Sequence, residues 1–234
     1  KWMLEQSGGK DADSTAQVLG SAIHVIAAQL KDQPDLSLEQ LEAKLKGAWS
    51  LIDMNKGWIK DYEYRRAALM LQKFYGWHLS NKNKLIGVEE KFEFKLGKAI
   101  VSGSIDRVEL TTEGKYYIVD LKTGATPISY EDAQSNKQLQ SYQLAVVNDG
   151  FKNKLEHQDV GGAQLIFVGD HKGKEAKPRP QDPVDAKAVS EQIEEIAIKM
   201  SDKSFVAIIN DRCRGCAVKS SCPIQPAGKS VIQS

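Results

Sequence analysis

From residue 14 to about residue 80 the apolar positions recur every three to four places. In DSTAQVLGSAIHVIAAQL, Ala16, Leu19, Ile23, Ile26 and Leu30 follow helical spacing, and Asp13 or Ser14 is placed to cap the start. SLEQLEAKLKGAW sets Ser37 three residues before Gln40, the pattern of a capping box. DYEYRRAALMLQKFYGWHL predicts a longer, aromatic-rich helix. The pattern then switches to alternation. KLIGVEEKFEFKL alternates at Val88, Glu90, Phe92 and Phe94 and predicts a strand; AIVSGSIDRVEL and KYYIVDL predict two more, joined by TTEG. YEDAQSNKQLQSYQLAVVND returns to helical spacing and stops at Gly150. GAQLIFVG predicts a short buried strand, and HKGKEAKPRPQDP a polar loop. Asp182 and Pro183 then predict the capped start of a helix through VDAKAVSEQIEEIAIKM. After Phe205 periodicity fades.

These elements predict one α/β domain in three stretches. Residues 1–82 are a helical lead-in. Residues 83–170 carry a small mixed, mostly antiparallel sheet with a helix. Residues 183–234 carry a C-terminal helix and tail. At 41% hydrophobic residues the chain can fill a core. A formal net charge of +1 confines any basic groove to a local feature. No run of about 18 apolar residues predicts a membrane span. The chain opens on Lys1, and KWMLEQSGG reads as the middle of a larger protein. The three cysteines, Cys213, Cys216 and Cys222, crowd into ten residues, which argues for a metal or cluster site in a cytoplasmic protein.

The charges in GSIDRVELTTEGKYYIVDLKTG are costly for a hairpin. With TEG as a three-residue loop and Gly114 in the left-handed position, Thr111 pairs with Lys115. That register sets Asp106 opposite Asp120, with Cβ atoms about 4.5–5.5 Å apart; a turn shifted by one residue makes them diagonal neighbours. Lys122, two places after Asp120, projects from the same face. Opposed carboxylates ionise together with difficulty unless a cation lies between them. Mg²⁺ takes one or two carboxylates plus substrate phosphate, polarises a phosphoryl oxygen and activates water. A neighbouring ammonium stabilises developing negative charge. The plainer alternative is that the acids make surface ion pairs and Lys122 is a solvated strand end.

These residues resemble the PD-(D/E)XK nuclease motif, and more closely its RecB branch, in which a G-x-x-D-R strand precedes D-x-K-T-G. GSAIH resembles the helix that offers a metal-binding histidine, here His24. VEEKF resembles the strand with an acidic residue, Glu89 or its neighbour Glu90, with Phe92 favouring Glu89. QLQSY resembles the Q-x-x-x-Y helix, here Gln138 and Tyr142. The five motifs follow in order across residues 14 to 148. The resemblance implies a restriction-endonuclease-like core and Mg²⁺- or Mn²⁺-dependent hydrolysis of DNA. It implies metal ligation by His24, Asp106, Asp120 and the Leu121 carbonyl, with Lys122 assisting attack by water. Gln138 and Tyr142 would position the DNA backbone or the lysine.

In AddB-type and CRISPR-associated RecB-like nucleases, three cysteines with this C-terminal spacing hold an iron–sulfur cluster, and a fourth precedes the first helix. The resemblance therefore implies a [4Fe–4S] site with its fourth cysteine upstream of Lys1. Zinc completed by His157 or His171 is the fallback. CPIQPAGKSV resembles the tail of bacterial UvrD/RecB-type helicase–nucleases, and no Walker A motif supplies a motor here. The expected parent is a bacterial cytoplasmic helicase–nuclease with a superfamily 1 motor, processing DNA ends on unwound single strands. The rival expectations are a free-standing CRISPR-associated exonuclease and a nuclease-dead scaffold.

Overall fold

The computed structural model describes residues 15–51, 57–152, 154–201, 207–216, 219–222 and 224–226. Residues 14–197 form one compact unit; a second takes in residues from Ile198 onward. Helix α1 (Thr15–Ala28) runs into a 3₁₀ turn, Gln29–Lys31. Helices α2 (Leu38–Leu51) and α3 (Trp58–Ser80) follow. The capping box opens α2: the Ser37 backbone N–H donates to Gln40 Oε1 at 2.8 Å and the Gln40 N–H to Ser37 Oγ at 3.3 Å. The proposed caps of α1, Asp13 and Ser14, lie outside the described residues.

Strands β1 (Lys84–Leu96), β2 (Ala99–Leu110), β3 (Tyr116–Lys122), β4 (Val160–Phe167) and β5 (Lys177–Gln181) form one sheet in chain order. Only β3 and β4 are parallel; the other pairs are antiparallel. This is the mixed, mostly antiparallel sheet with flanking helices that the periodicity predicts. Alternation along β3 sends Val119 and Leu121 into a core with α1, α2 and α3. Ile118 enters a second core, with Phe92, Phe94 and helix α5 (Lys137–Val147). The sheet is thus buried on both faces where its charged residues lie.

The β2–β3 hairpin has the predicted register. Thr111 N–H donates to Lys115 O at 2.8 Å, and Gly114 has φ +78°. The ladder runs from Leu110–Tyr116 to Arg107–Val119, one step short of Asp106 and Asp120.

Four expectations change. The predicted helix after Ser129 is two helices, α4 (Tyr130–Gln134) and α5, because Asn136 caps a new start by accepting from Leu139 N–H at 3.1 Å. Asp149, at φ +49°, takes the left-handed position after α5 that was expected of Gly150. The predicted polar loop contains β5, whose Pro178 and Pro180 are tolerated because the strand lies at the sheet edge. Helix α6 (Ala186–Ser201) is capped by Asp185 and not Asp182: Asp185 Oδ1 accepts from Lys187 and Ala188 N–H at 3.0 and 3.1 Å.

A buried polar cluster fixes β2 against the end of α3. Glu109 is fully buried and pairs with Arg107. It also accepts from Asn81 Nδ2 at 2.7 Å and Asn83 Nδ2 at 3.1 Å. The Arg107 guanidinium lies 5.3 Å from the Trp77 ring centroid, and its Nη2 is 3.1 Å from His78 Nδ1. Burial, then the Arg107 charge, holds the His78 pKa down from 6.5 to about 4. The folded protein therefore keeps His78 neutral where the unfolded chain protonates it. Its contribution to stability is complete above pH 6.5 and is lost as pH falls toward 4. His78→Gln should flatten the dependence of Tm on pH across that window, as read by thermal unfolding in buffers of matched ionic strength.

Candidate metal centre

Asp106 lies on β2 between the ladder pairs Val88–Arg107 and Glu90–Ile105, across from Glu89. Its Oδ2 accepts the Leu121 backbone N–H at 2.7 Å, which orients the carboxylate from the neighbouring strand. Its Oδ1 lies 3.4 Å from His24 Nδ1. Helix α1 supplies His24 on a face whose Leu19, Ile23 and Ile26 are buried. One turn earlier, a Cβ built on Gly20 would lie 2.9 Å from Thr123 Oγ1, so the helix approaches the segment after β3 closely.

Glu89 is the third member of the group: its Oε1 lies 3.8 Å from His24 Nδ1. One ligand atom from each of His24, Glu89 and Asp106 lies within 4.8 Å of the others. Glu89 has φ +48°, a conformation costly for a residue with a side chain. Glu90 instead pairs with Lys154 at 3.1 Å. Of the two acids that the sequence left open, the fold brings Glu89 to His24.

Asp120 is 2% exposed and lies deeper. Its Oδ2 is 2.6 Å from Lys122 Nζ, a close ion pair. Lys122 Nζ donates to Gln138 Oε1 at 2.9 Å, and Gln138 Nε2 donates to Tyr142 Oη at 2.7 Å. The Q-x-x-x-Y helix is α5: its glutamine reaches the lysine directly and its tyrosine reaches it through the glutamine. Leu121 enters through its N–H, on Asp106.

The electrostatics report an excess of negative charge. Burial, then the charge of Asp106, pushes Asp120 up to about 6, against the pull of Lys122. Burial and Asp106 also raise Glu89. Burial acts to lower His24, but the Asp106 hydrogen bond and the charges of Asp106, Glu89 and Asp120 outweigh it and the net shift is upward. A divalent cation suits this donor set of two carboxylates and an imidazole. In the second unit, backbone N–H groups donate three residues back, from Cys213 to Asn210, Cys216 to Cys213, Lys219 to Cys216 and Cys222 to Lys219. All three cysteines are free and partly exposed.

The sequence model of the PD-(D/E)XK nuclease superfamily matches residues 1–223. The chain belongs to this superfamily. A PD-(D/E)XK member is a metal-dependent nuclease that acts on DNA with divalent ions such as Mg²⁺. No curated protein matches the chain. It is similar to a solved structure described as "Crystal structure of SSO0001", with 16% identity over 70% of this chain and 80% of that one and a TM-score of 0.37.

Sequence reasoning missed the Arg107–Glu109 cluster, because regular alternation only turns Arg107 away from Asp106 and does not reveal His78 and Trp77 waiting on α3. It had no means of seeing the left-handed Glu89. Because that backbone angle is costly for a residue with a side chain, Glu89→Gly should raise stability without metal by roughly 1 kcal/mol. Urea unfolding in chelator measures this, and an unchanged or lower midpoint would show that the His24 contact outweighs the strain.

Proposed function

We propose that this domain hydrolyses DNA phosphodiesters at the centre formed by His24, Glu89, Asp106 and Asp120. The reading rests on one observation above the rest: Asp106, oriented by the Leu121 N–H, brings carboxylates from β1 and β2 together with a histidine from α1. His24, Glu89 and Asp106 would hold the ion, with Asp120 and the Leu121 carbonyl as further ligands. A bound divalent ion supplies Lewis-acid polarisation of the phosphoryl oxygen and a more acidic water. Lys122, held between Asp120 and Gln138, offers its ammonium to the charge that develops on the phosphate. Tyr142 and Gln138 restrain that ammonium and keep it from swinging out to solvent.

The finer assignment is an exonuclease acting on single strands, the nuclease part of a bacterial helicase–nuclease that processes DNA ends for recombinational repair. The order of the five motifs supports it. Near-neutral net charge fits a domain that receives its strand from a superfamily 1 motor. A labelled single strand with Mg²⁺ or Mn²⁺ tests the chemistry. Asp120→Ala and Lys122→Ala should each lower kcat by about 100-fold or more, and wild-type protein that binds DNA tightly yet never cleaves it would make the domain a scaffold.

We also propose that Cys213, Cys216 and Cys222 ligate an iron–sulfur cluster with a fourth ligand. The crowding of the three cysteines into ten residues supports this. Protein isolated without oxygen should carry iron and acid-labile sulfide, both lost in Cys216→Ser. Zinc in place of iron would point to a structural zinc site.

A further inference from the structure

Beside the metal centre lies a second concavity, a groove of about 590 Å³ between the β1–β2 hairpin and the chain following α5. Lys91, Lys152 and Lys154 line it, with Glu93 as the single acid. In a chain of net charge +1 this is a local concentration of positive charge. The lysines are weakly committed: Lys152 Nζ is 3.8 Å from Glu93 and Lys154 Nζ is 3.1 Å from Glu90, and all four side chains are at least partly exposed. Such surface pairs contribute little and exchange readily for another anion.

The groove and the centre are built on the same two strands: Lys91 pairs with Ser104, two residues along from Glu89 on β1 and from Asp106 on β2. Ser104 lines it and precedes Asp106 by two residues on β2. Phe92, also in the lining, packs edge-on against Tyr142 with ring centroids 5.8 Å apart. The aromatic rings of the groove are not platforms for bases. Phe92 and Phe151 are 5% and 2% exposed and pack on each other. A groove with weakly paired ammonium groups and no exposed ring suits phosphates and ignores base identity.

We propose that this groove carries the phosphate backbone of the DNA strand adjacent to the scissile bond, with Lys91, Lys152 and Lys154 as its phosphate contacts. The assignment rests on the nuclease reading and adds a strand path without sequence preference.

The test compares the combined variant Lys91→Gln, Lys152→Gln, Lys154→Gln with Glu90→Gln, Glu93→Gln, which breaks the same ion pairs while making the groove more positive. KM and kcat are measured on a labelled single-stranded oligonucleotide at several salt concentrations. Hydrolysis of bis(p-nitrophenyl) phosphate, too small to reach the groove, is measured alongside. The lysine variant should raise KM about tenfold with kcat unchanged. Its log–log salt slope should fall by about 2, for three lost contacts at roughly 0.7 each. The glutamate variant should lower KM, and the small diester should be cleaved equally by all three proteins. A wild-type KM and slope in the lysine variant overturns the proposal, as do shifts in the same direction for both variants or a loss confined to the small diester. If the wild type cleaves neither substrate, the nuclease reading fails on its own. Oligonucleotide affinity by fluorescence anisotropy in chelator then decides the groove separately: unchanged affinity in the lysine variant overturns it, and a weakened one supports it.

Discussion

Mutual repulsion among acids is the constraint around which this domain is arranged. Asp106, Asp120 and Glu89 come from three neighbouring strands, and each raises the proton affinity of at least one other group nearby. Among the described residues, His24 and Lys122 oppose them within the centre. A sheet chosen for stability alone would place apolar residues here, because like charges across strands weaken pairing. The rest of the fold supplies rigidity against that repulsion. The two cores grip β3 from both faces, and the Leu121 N–H clamps Asp106 from the next strand. The left-handed backbone at Glu89 belongs to the same compromise: the β1–β2 register sets this third carboxylate opposite Asp106, and the chain adopts a costly angle there.

The two sides of the sheet divide the work. The side of α1 and α3 contributes His24 and the buried Arg107–Glu109 cluster, which locks β2 immediately beyond Asp106. The α5 side contributes Gln138 and Tyr142, which hold Lys122. The histidine and the lysine of the centre are therefore placed by different helices, linked through β2, β3 and the Asp120–Lys122 ion pair. That separation explains why residues more than a hundred positions apart must all be placed before the centre exists.

Much of this was legible in the chain. The TTEG loop defines the hairpin register through Gly114, and the register carries Asp106 to Asp120 without any tertiary knowledge. The strands β1 and β2 match their alternating stretches residue for residue. What was illegible depends on neighbours distant in sequence. An edge position makes KPRPQ a strand despite its prolines. Asn136 splits a periodic stretch because it caps the next start better than it continues the last helix. Periodicity gave Glu89 and Glu90 equal standing; a backbone angle and the position of α1 separate them.

Gly20 bears on the chemistry without touching it. The contact that a Cβ there would make with Thr123 Oγ1, at 2.9 Å, fixes how near α1 can come to the end of β3. His24 rides one turn further along the same helix. Bulk at position 20 therefore acts as a wedge, tilting the imidazole away from Asp106 while every functional group in the centre stays intact. Inactivation by such a wedge would leave no trace among the acids, the lysine or the histidine, so a complete motif is a necessary sign of a working nuclease and an insufficient one.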